Sequence, residues 1–325
     1  GNDVRSAPLL VAVFMLFGVF VLSGCGGANA PAAGAGVAGA GMPFTTLPRA
    51  RFPARPDHHA YSTKRSLLFE ADLVEDAVNV YQVKALTKNP NPIAQIHVQA
   101  GCPDGLAMDK TGTLYVATEC NGNDIEEYPK GSSTEKLAIA GLSNPSGLAI
   151  DSHGALYVST YPASIEEFAY GGTSPIQTIT GQGLTDPLGL AVDKDDNLYI
   201  ADFGASQVFE VKYGTTTVTP LNLQDLQEPL GVTVDENDGL MWVADGSGDK
   251  IDVYQLGNST PIEQISGNGF PYAVAAENKG KPLDTVVTSD LDTHAVYAYK
   301  PGKYTPYATL SNGIQSPGSL LIEKP

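Results

Sequence analysis

The chain is 325 residues long and carries 36 acidic against 19 basic residues, a formal net charge of −17. So acidic a balance excludes the basic footprint on which nucleic-acid binding rests, and no run of like charge marks a docking tail. Three cysteines and a 42% hydrophobic share leave ample material for a core with little cross-linking.

The first element is apolar. Arg5 precedes a run from Leu9 to Leu22, too short to span a bilayer, that ends in Leu22-Ser-Gly-Cys25. The run reads as a secretory h-region with a processing site, and the tetrapeptide resembles the bacterial lipobox. That resemblance implies that residues 1–25 are a lipoprotein signal peptide, that Cys25 is lipidated, and that the mature protein is anchored in the bacterial cell envelope, at the outer membrane or cell surface. A plain signal peptide with a chance cysteine is the alternative. Residues 26–60 are dominated by Gly, Ala and Pro, a composition that cannot bury enough apolar surface to offset its ordering entropy, so a flexible tether is expected. Arg49, Arg51, Arg55, His58 and His59 make its distal end basic, either a solvated stalk or a contact for lipid headgroups.

From residue 61 onward the chain repeats. Pro103, Pro145, Pro187, Pro229 and Pro271 stand 42 residues apart, and each opens a similar phrase, as in Pro145-Ser-Gly-Leu-Ala-Ile-Asp and Leu156-Tyr-Val-Ser-Thr. A fixed period near 40 residues means stacked supersecondary units, and short strands in each make them propeller blades. Within one unit, Gly147-Leu-Ala-Ile and Leu156-Tyr-Val-Ser flank the polar turn Asp151-Ser-His-Gly as a hairpin. Ile165-Glu-Glu-Phe-Ala-Tyr, the Gly171-Gly172 turn and Ile176-Gln-Thr-Ile complete four antiparallel strands. No sustained helical periodicity follows residue 60. Ahead of these units, Leu67-Leu-Phe-Glu-Ala-Asp, Val78-Asn-Val-Tyr and Ile93-Ala-Gln-Ile-His-Val supply three strands and lack the first. Ser316-Pro-Gly-Ser-Leu-Leu-Ile-Glu supplies it from the other end of the chain. The expected fold of residues 61–325 is therefore all-β: a six-bladed β-propeller of four-stranded antiparallel blades, closed by the C-terminal strand completing blade one. A single copy of the chain, a monomer, suffices for that ring.

The phrase Pro-x-Gly-Leu-Ala-Val-Asp, a turn and Leu-Tyr-Val-Ala-Asp resembles the NHL repeat and, more broadly, the gluconolactonase-like propellers, over residues 66 to 325. The gluconolactonase resemblance implies a divalent cation on the axis, held by oxygen ligands at the residue before the innermost glycine. Those positions are Asp104, Ser146, Leu188, Leu230, Tyr272 and Gly318. Hard cations want several oxygen donors, and of these positions only Asp104 supplies a carboxylate. No histidine pair has ligand spacing, and neither a Gly-x-Ser-x-Gly elbow nor a phosphate loop is present.

Cys102 and Cys120 flank the first hairpin of blade two. With that hairpin centred on Thr111, facing residues have numbers summing to 222, as 102 and 120 do, so a disulfide is expected. Two independent buried thiols are the alternative. The residues ending the second strands, Asp72, Thr118, Thr160, Asp202, Asp245 and Asp290, are expected to cap the following turn through backbone hydrogen bonds. Polar residues also precede the blade prolines, notably Asn144, Asp186 and Glu228, with Glu119 nearby. Aromatic Tyr161, Phe203, Phe270 and Tyr272 fall on the same face, either as a binding patch or as a channel plug. The expected binding mouth is Asp104, Asn144, Ser146, Tyr161, Asp186, Phe203, Glu228, Phe270 and Tyr272. It would take a protein or small-molecule ligand, with at most a weakly held divalent cation on Asp104, Asp186 or Glu228 and no other cofactor. The expectation is a binding scaffold; a metal-dependent hydrolase or lyase is the alternative.

Overall fold

The computed structural model describes residues 61, 66–120, 122–235, 239–266, 269–276, 285–300 and 303–323. The signal peptide, Cys25, the tether with its basic distal end, and the insertion beginning at Lys279 lie outside the described residues. Six four-stranded antiparallel sheets follow one another around a ring. The innermost strands are Pro103–Met108, Pro145–Ile150, Pro187–Val192, Pro229–Asp235, Pro271–Ala276 and Pro317–Glu323. Proline begins each because it has no N–H to give a ladder and its fixed φ suits the start of a strand.

Blade one joins the two ends of the chain. Pro317–Glu323 pairs antiparallel with Leu67–Asp72, from Leu67 opposite Glu323 to Asp72 opposite Pro317, so no open edge remains there. Asp72 reinforces the closure: its Oδ2 accepts the N–H of Gln315 at 2.7 Å. Tyr81 donates its hydroxyl to Asn312 O at 3.0 Å, and Asn79 donates Nδ2 to Gly313 O at 3.0 Å. One short helical element, the 3-10 helix Val83–Lys88, buries Val83 and Leu86 against the joint between blades six and one. At six residues it is too short to leave a periodicity in the sequence.

Burial is graded from axis to rim. The second strands, such as Leu114–Thr118 and Leu198–Asp202, are buried along their whole length because sheets cover both faces. The outermost strand Pro175–Thr180 is mostly exposed, with Ile179 as its anchor. Core side chains gather into clusters at the blade junctions. Tyr115, Leu148 and Phe168 pack between blades two and three, for example, and Tyr199, Val243 and Tyr254 between four and five. At the far end of the inner hairpins, Asp109, Asp151 and Asp193 each accept two backbone N–H groups of their own turn through Oδ1, which is why an aspartate closes the repeated phrase.

The repeated glycine has a steric reason. A Cβ at Gly105 would lie 1.8 Å from Ser146 O, and one at Gly147 would lie 1.9 Å from Leu188 O. At Gly231 the nearest atoms recede to 2.9 Å. In blades two to five the inner strand therefore abuts the backbone of the next, and there a residue without a side chain lets them meet; blade six has Ala273 at the matching position. Because backbone cannot swing aside as a side chain does, Gly147→Ala should lower stability by about 1–3 kcal/mol or more, and Gly231→Ala by clearly less. Denaturant titration of both variants checks the order; equal losses would contradict the steric reading.

Candidate functional site

The loop after each second strand is stitched to the residues before a blade proline. Leu73 donates its N–H to Ser316 O, Glu119 to Cys102 O, Tyr161 to Ser143 O, Phe203 to Asp186 O, Gly246 to Glu228 O and Leu291 to Phe270 O, all at 2.9–3.3 Å. These bonds set two rings of residues on one face of the propeller, around the channel mouth. Of the strand-ending residues, Asp72 and Asp202 both cap their turns and hold the loop before the proline. Asp202 accepts N–H groups from Thr185 at 2.8 Å, Asp186 at 3.0 Å and Ala205 at 2.9 Å. Asp245 accepts those of Gln227 and Glu228, and Asp290 that of Thr293. Thr118 Oγ1 accepts the Asp124 N–H at 3.2 Å and Thr160 Oγ1 meets the Ser164 carbonyl and hydroxyl, each within its own turn.

Below the mouth the axis holds a cavity of about 70 Å³, lined by Asp104, Ser146, Leu188, Leu230, Tyr272 and the inner glycines. That volume admits a few waters; pockets that enclose small-molecule ligands run to roughly 300–1,000 Å³. Asp104 spans the cavity wall. Its Oδ2 accepts the Ser146 hydroxyl at 2.6 Å from blade three, and its Oδ1 accepts the Tyr272 hydroxyl at 2.8 Å from blade six. Burial raises the Asp104 carboxyl above its ordinary range, with the two hydroxyls opposing the shift.

Glu119 and Asp186 stand nearby, and neither side chain accepts a hydrogen bond from any described residue. Enclosure pushes the Glu119 carboxyl up to about 8, and the charges of Asp104 and Asp186 add to the shift. Asp186 is pushed up to about 6, first by burial and then by Asp202. The Tyr272 hydroxyl is raised by burial first and then by Asp104, to which it donates. Cys102 and Cys120 form a disulfide with Cα atoms 5.4 Å apart, pinning the two loops that flank Glu119. The expected register holds from Leu106 to Met108, but a bulge shifts it between Pro103 and Leu106. Cys102 therefore bonds through its backbone to Glu119, and the disulfide runs diagonally to the next residue.

The other half of the mouth is apolar. Phe203, Phe270, Leu188 and Leu291, all half-buried, pack against Leu230 and Tyr272. Gly246 lies beneath them: a Cβ there would meet Leu230 Cδ1 and Phe270 Cζ at 2.7 Å. Phe203 and Phe270 thus wall the mouth as well as packing on inner strands, and Tyr161 stands out 43% exposed. Two expected members are separate from the acid group. Glu228 Oε2 accepts the Ser247 hydroxyl, and Asn144 holds a left-handed turn with φ 42°. As for a cation, both Asp104 oxygens already accept hydroxyls. Among the described residues, the group of three whose ligand atoms lie within 4.8 Å of one another is Asp151, His153 and Asp196, at the opposite end of the inner strands. There Asp196 already accepts Ser152 N–H and Oγ–H, each at 2.8 Å, linking blades three and four. Glu119 was visible in sequence only as a neighbour of the capping threonine. Its importance comes from the loop that turns it toward Asp104.

Residues 184–210 match the family model described as "NHL repeat". A chain in the crystal structure of a nidogen/laminin complex is similar in fold, with TM-score 0.67 at 18% identity, over 79% of this chain and 98% of that one. No curated protein matches the chain in sequence. With the matched repeat, the recurrence of its phrase and the ring itself, the chain is an NHL-type six-bladed β-propeller.

A carboxyl raised in the folded state favours folding below its unfolded value and disfavours it as pH climbs above that value. For Glu119 the window runs from the ordinary 4.5 up to about 8. Glu119→Gln should therefore match the parent in stability near pH 4 and exceed it by about 2 kcal/mol at pH 9, a figure discounted for partial exposure and coupling. Denaturant melts at the two pH values provide the check, and a variant less stable at pH 9 would contradict the raised carboxyl.

Proposed function

We propose that the chain is an envelope lipoprotein whose propeller is a protein-binding scaffold, with the channel mouth as its recognition surface. In this reading Cys25 carries the lipid, residues 26–60 are the tether and residues 61–325 the binding domain, held as a monomer at the outer membrane or cell surface of a bacterium. The observation that carries it is the mouth: half-buried carboxyls of Glu119 and Asp186 beside the exposed Tyr161 and an apolar wall of Phe203, Phe270, Leu188 and Leu291, above a cavity too small for a substrate. Groups left uncompensated in a folded protein gain most from a ligand that satisfies them. The similar chain comes from a structure whose title names a protein complex, which accords with a propeller used for binding. Weighing against metal-dependent hydrolysis are Leu188 and Leu230, apolar at axial positions where a cation would need oxygen.

Two measurements in cells test this. Cys25→Ser should move the protein from the membrane fraction to the soluble fraction, and equal recovery in membranes would sink the lipid anchor. A photo-crosslinking residue at Tyr161 should capture a protein partner, whereas one at His153, at the opposite end of the inner strands, should not. Indistinguishable adducts from the two positions would remove the mouth as the recognition surface.

A further inference from the structure

The chain joins the ring at the end away from the mouth. Leu67, the first residue of the first strand, lies opposite Gln82 and Glu323, whereas Asp72, where that strand ends, lies opposite Pro317 beside the mouth. Ahead of the strand Tyr61 is 5% exposed, its ring edge-on to Phe69 with centroids 5.3 Å apart, in the core between blades one and two. Its hydroxyl lies beside the backbone of Gly131, in the outer hairpin turn of blade two at that same end. The chain preceding Tyr61, Cys25 included, is thus attached to the propeller on the face opposite the mouth.

Exposed charge is sorted by the same axis. The hairpin turns at the entry end carry Lys110, Lys130, Lys194, Lys212, Lys300 and Lys303, all exposed. The loops at the mouth carry exposed Asp225, Asp249 and Asp292 and, among the described residues, no exposed lysine or arginine; Lys250, at that end, is buried with Nζ 2.9 Å from Asp252. Acids at the entry end are largely drawn inward: Asp109 and Asp151 are buried and accept the backbone N–H groups of their own turns. Asp195, Glu210 and Glu323 neighbour Lys194, Lys212 and Lys130, but pairs involving such exposed lysines are weak and screened by salt, so each ammonium can turn to another anion.

Aromatic residues stand among these lysines. Tyr170, Tyr213 and Tyr304, exposed by 57%, 51% and 36%, occupy the outer hairpin turns of blades three, four and six. Inner and outer turns form one continuous surface: His153 stacks on Tyr213 with ring centroids 5.3 Å apart, and a Cβ on Gly112 would meet the Lys130 side chain. Exposed tyrosine interspersed with lysine is the chemistry of a membrane–water interface, where the ring sits at headgroup depth and the ammonium meets lipid phosphate.

We propose that the entry end of the propeller rests on an anionic phospholipid surface, with its turn lysines on lipid phosphates and Tyr170, Tyr213 and Tyr304 among the headgroups, so that the mouth faces away from the membrane. This rests on the reading of Cys25 as the membrane anchor: the lipid supplies the affinity and the face sets the orientation. The net charge of −17 acts in the same sense. A bilayer of like sign repels the acidic mouth, and the lysines feel its attraction once the anchor holds them within about a Debye length, roughly 8–10 Å.

The test uses the full lipidated chain in vesicles of phosphatidylcholine, with and without phosphatidylglycerol. A photo-crosslinking residue replaces either Tyr213 or Tyr161, lipid adducts are counted by mass spectrometry, and flotation reports how much chain is on the vesicles. With phosphatidylglycerol present, adducts at Tyr213 should exceed those at Tyr161 by about fivefold or more, the preference that one lysine's attraction to the surface gives. Phosphatidylcholine alone should lower that ratio, as should salt at about 0.5 M. Replacing Lys110, Lys212 and Lys303 together by Gln should lower it too, with flotation and denaturant midpoint unchanged, which separates lost charge from a lost anchor or a lost fold. Equal adducts at the two positions in chain that floats would overturn the orientation and leave the anchor standing, and a ratio unmoved by the lysine replacements would overturn the lipid contact. If the chain does not float, the anchor reading fails and takes this inference with it.

Discussion

At the axis, the position a Cβ would take on Gly105 falls 1.8 Å from the Ser146 carbonyl, and that on Gly147 falls 1.9 Å from the Leu188 carbonyl. Backbone meeting backbone is the tightest approach two strands can make outside a hydrogen-bonded ladder, and it repeats from blade to blade. The bulge at each Pro-x-Gly makes this possible by turning the glycine toward its neighbour. Where the bulge frees polar backbone groups, serine supplies partners: Ser159 Oγ accepts Gly147 N–H at 2.7 Å and donates to Leu188 O at 2.7 Å. Ser289 repeats the arrangement between blade six and the C-terminal strand, toward Ala273 N–H and Gly318 O.

So close an axis has consequences at the mouth. With inner backbones in contact, the channel narrows to a small cavity, and the residue before each glycine becomes its lining. Asp104 is then almost fully buried and takes its partners from across the ring, Ser146 on one side and Tyr272 on the other. Glu119 and Asp186 lie on loops whose backbones are held by Asp202 and by the Cys102–Cys120 disulfide. Burial, with a smaller contribution from the neighbouring acids, therefore favours the protonated form of Glu119 and Asp186. The apolar half arises from the same repeat positions, occupied by Leu188, Leu230, Phe203 and Phe270 in blades four to six.

Most of the fold was legible before any coordinates because a 42-residue period admits few architectures, and because the three-strand unit at Leu67 and the lone strand at Pro317 complement each other. The turn-capping role of Asp202 and Asp290 followed from short oxygen side chains at strand ends, whereas Asp245 holds the loop before Pro229 instead, and the disulfide followed from hairpin symmetry even though a bulge skews its register. The mouth was legible only in part. The resemblance to gluconolactonase-like propellers implied that Asp104 and Ser146 lie on the axis, where they line the cavity. It does not report that Glu119, on the next loop, turns toward them, or that Ser247 occupies Glu228. Those facts depend on loops from different blades meeting in space, and no local spacing in the chain encodes that meeting.

The central claim is that the mouth holds half-buried carboxyls raised by their surroundings, and their own ionisation reports it most directly. Carboxyl carbon-13 resonances of Glu119 and Asp186, assigned by Glu119→Gln and Asp186→Asn, can be followed from pH 3 to pH 10 in the ligand-free protein. The structure predicts midpoints near 8 for Glu119 and near 6 for Asp186. Midpoints at the ordinary 4.5 and 3.8 would mean that both side chains are solvated, and the account of the mouth would be wrong.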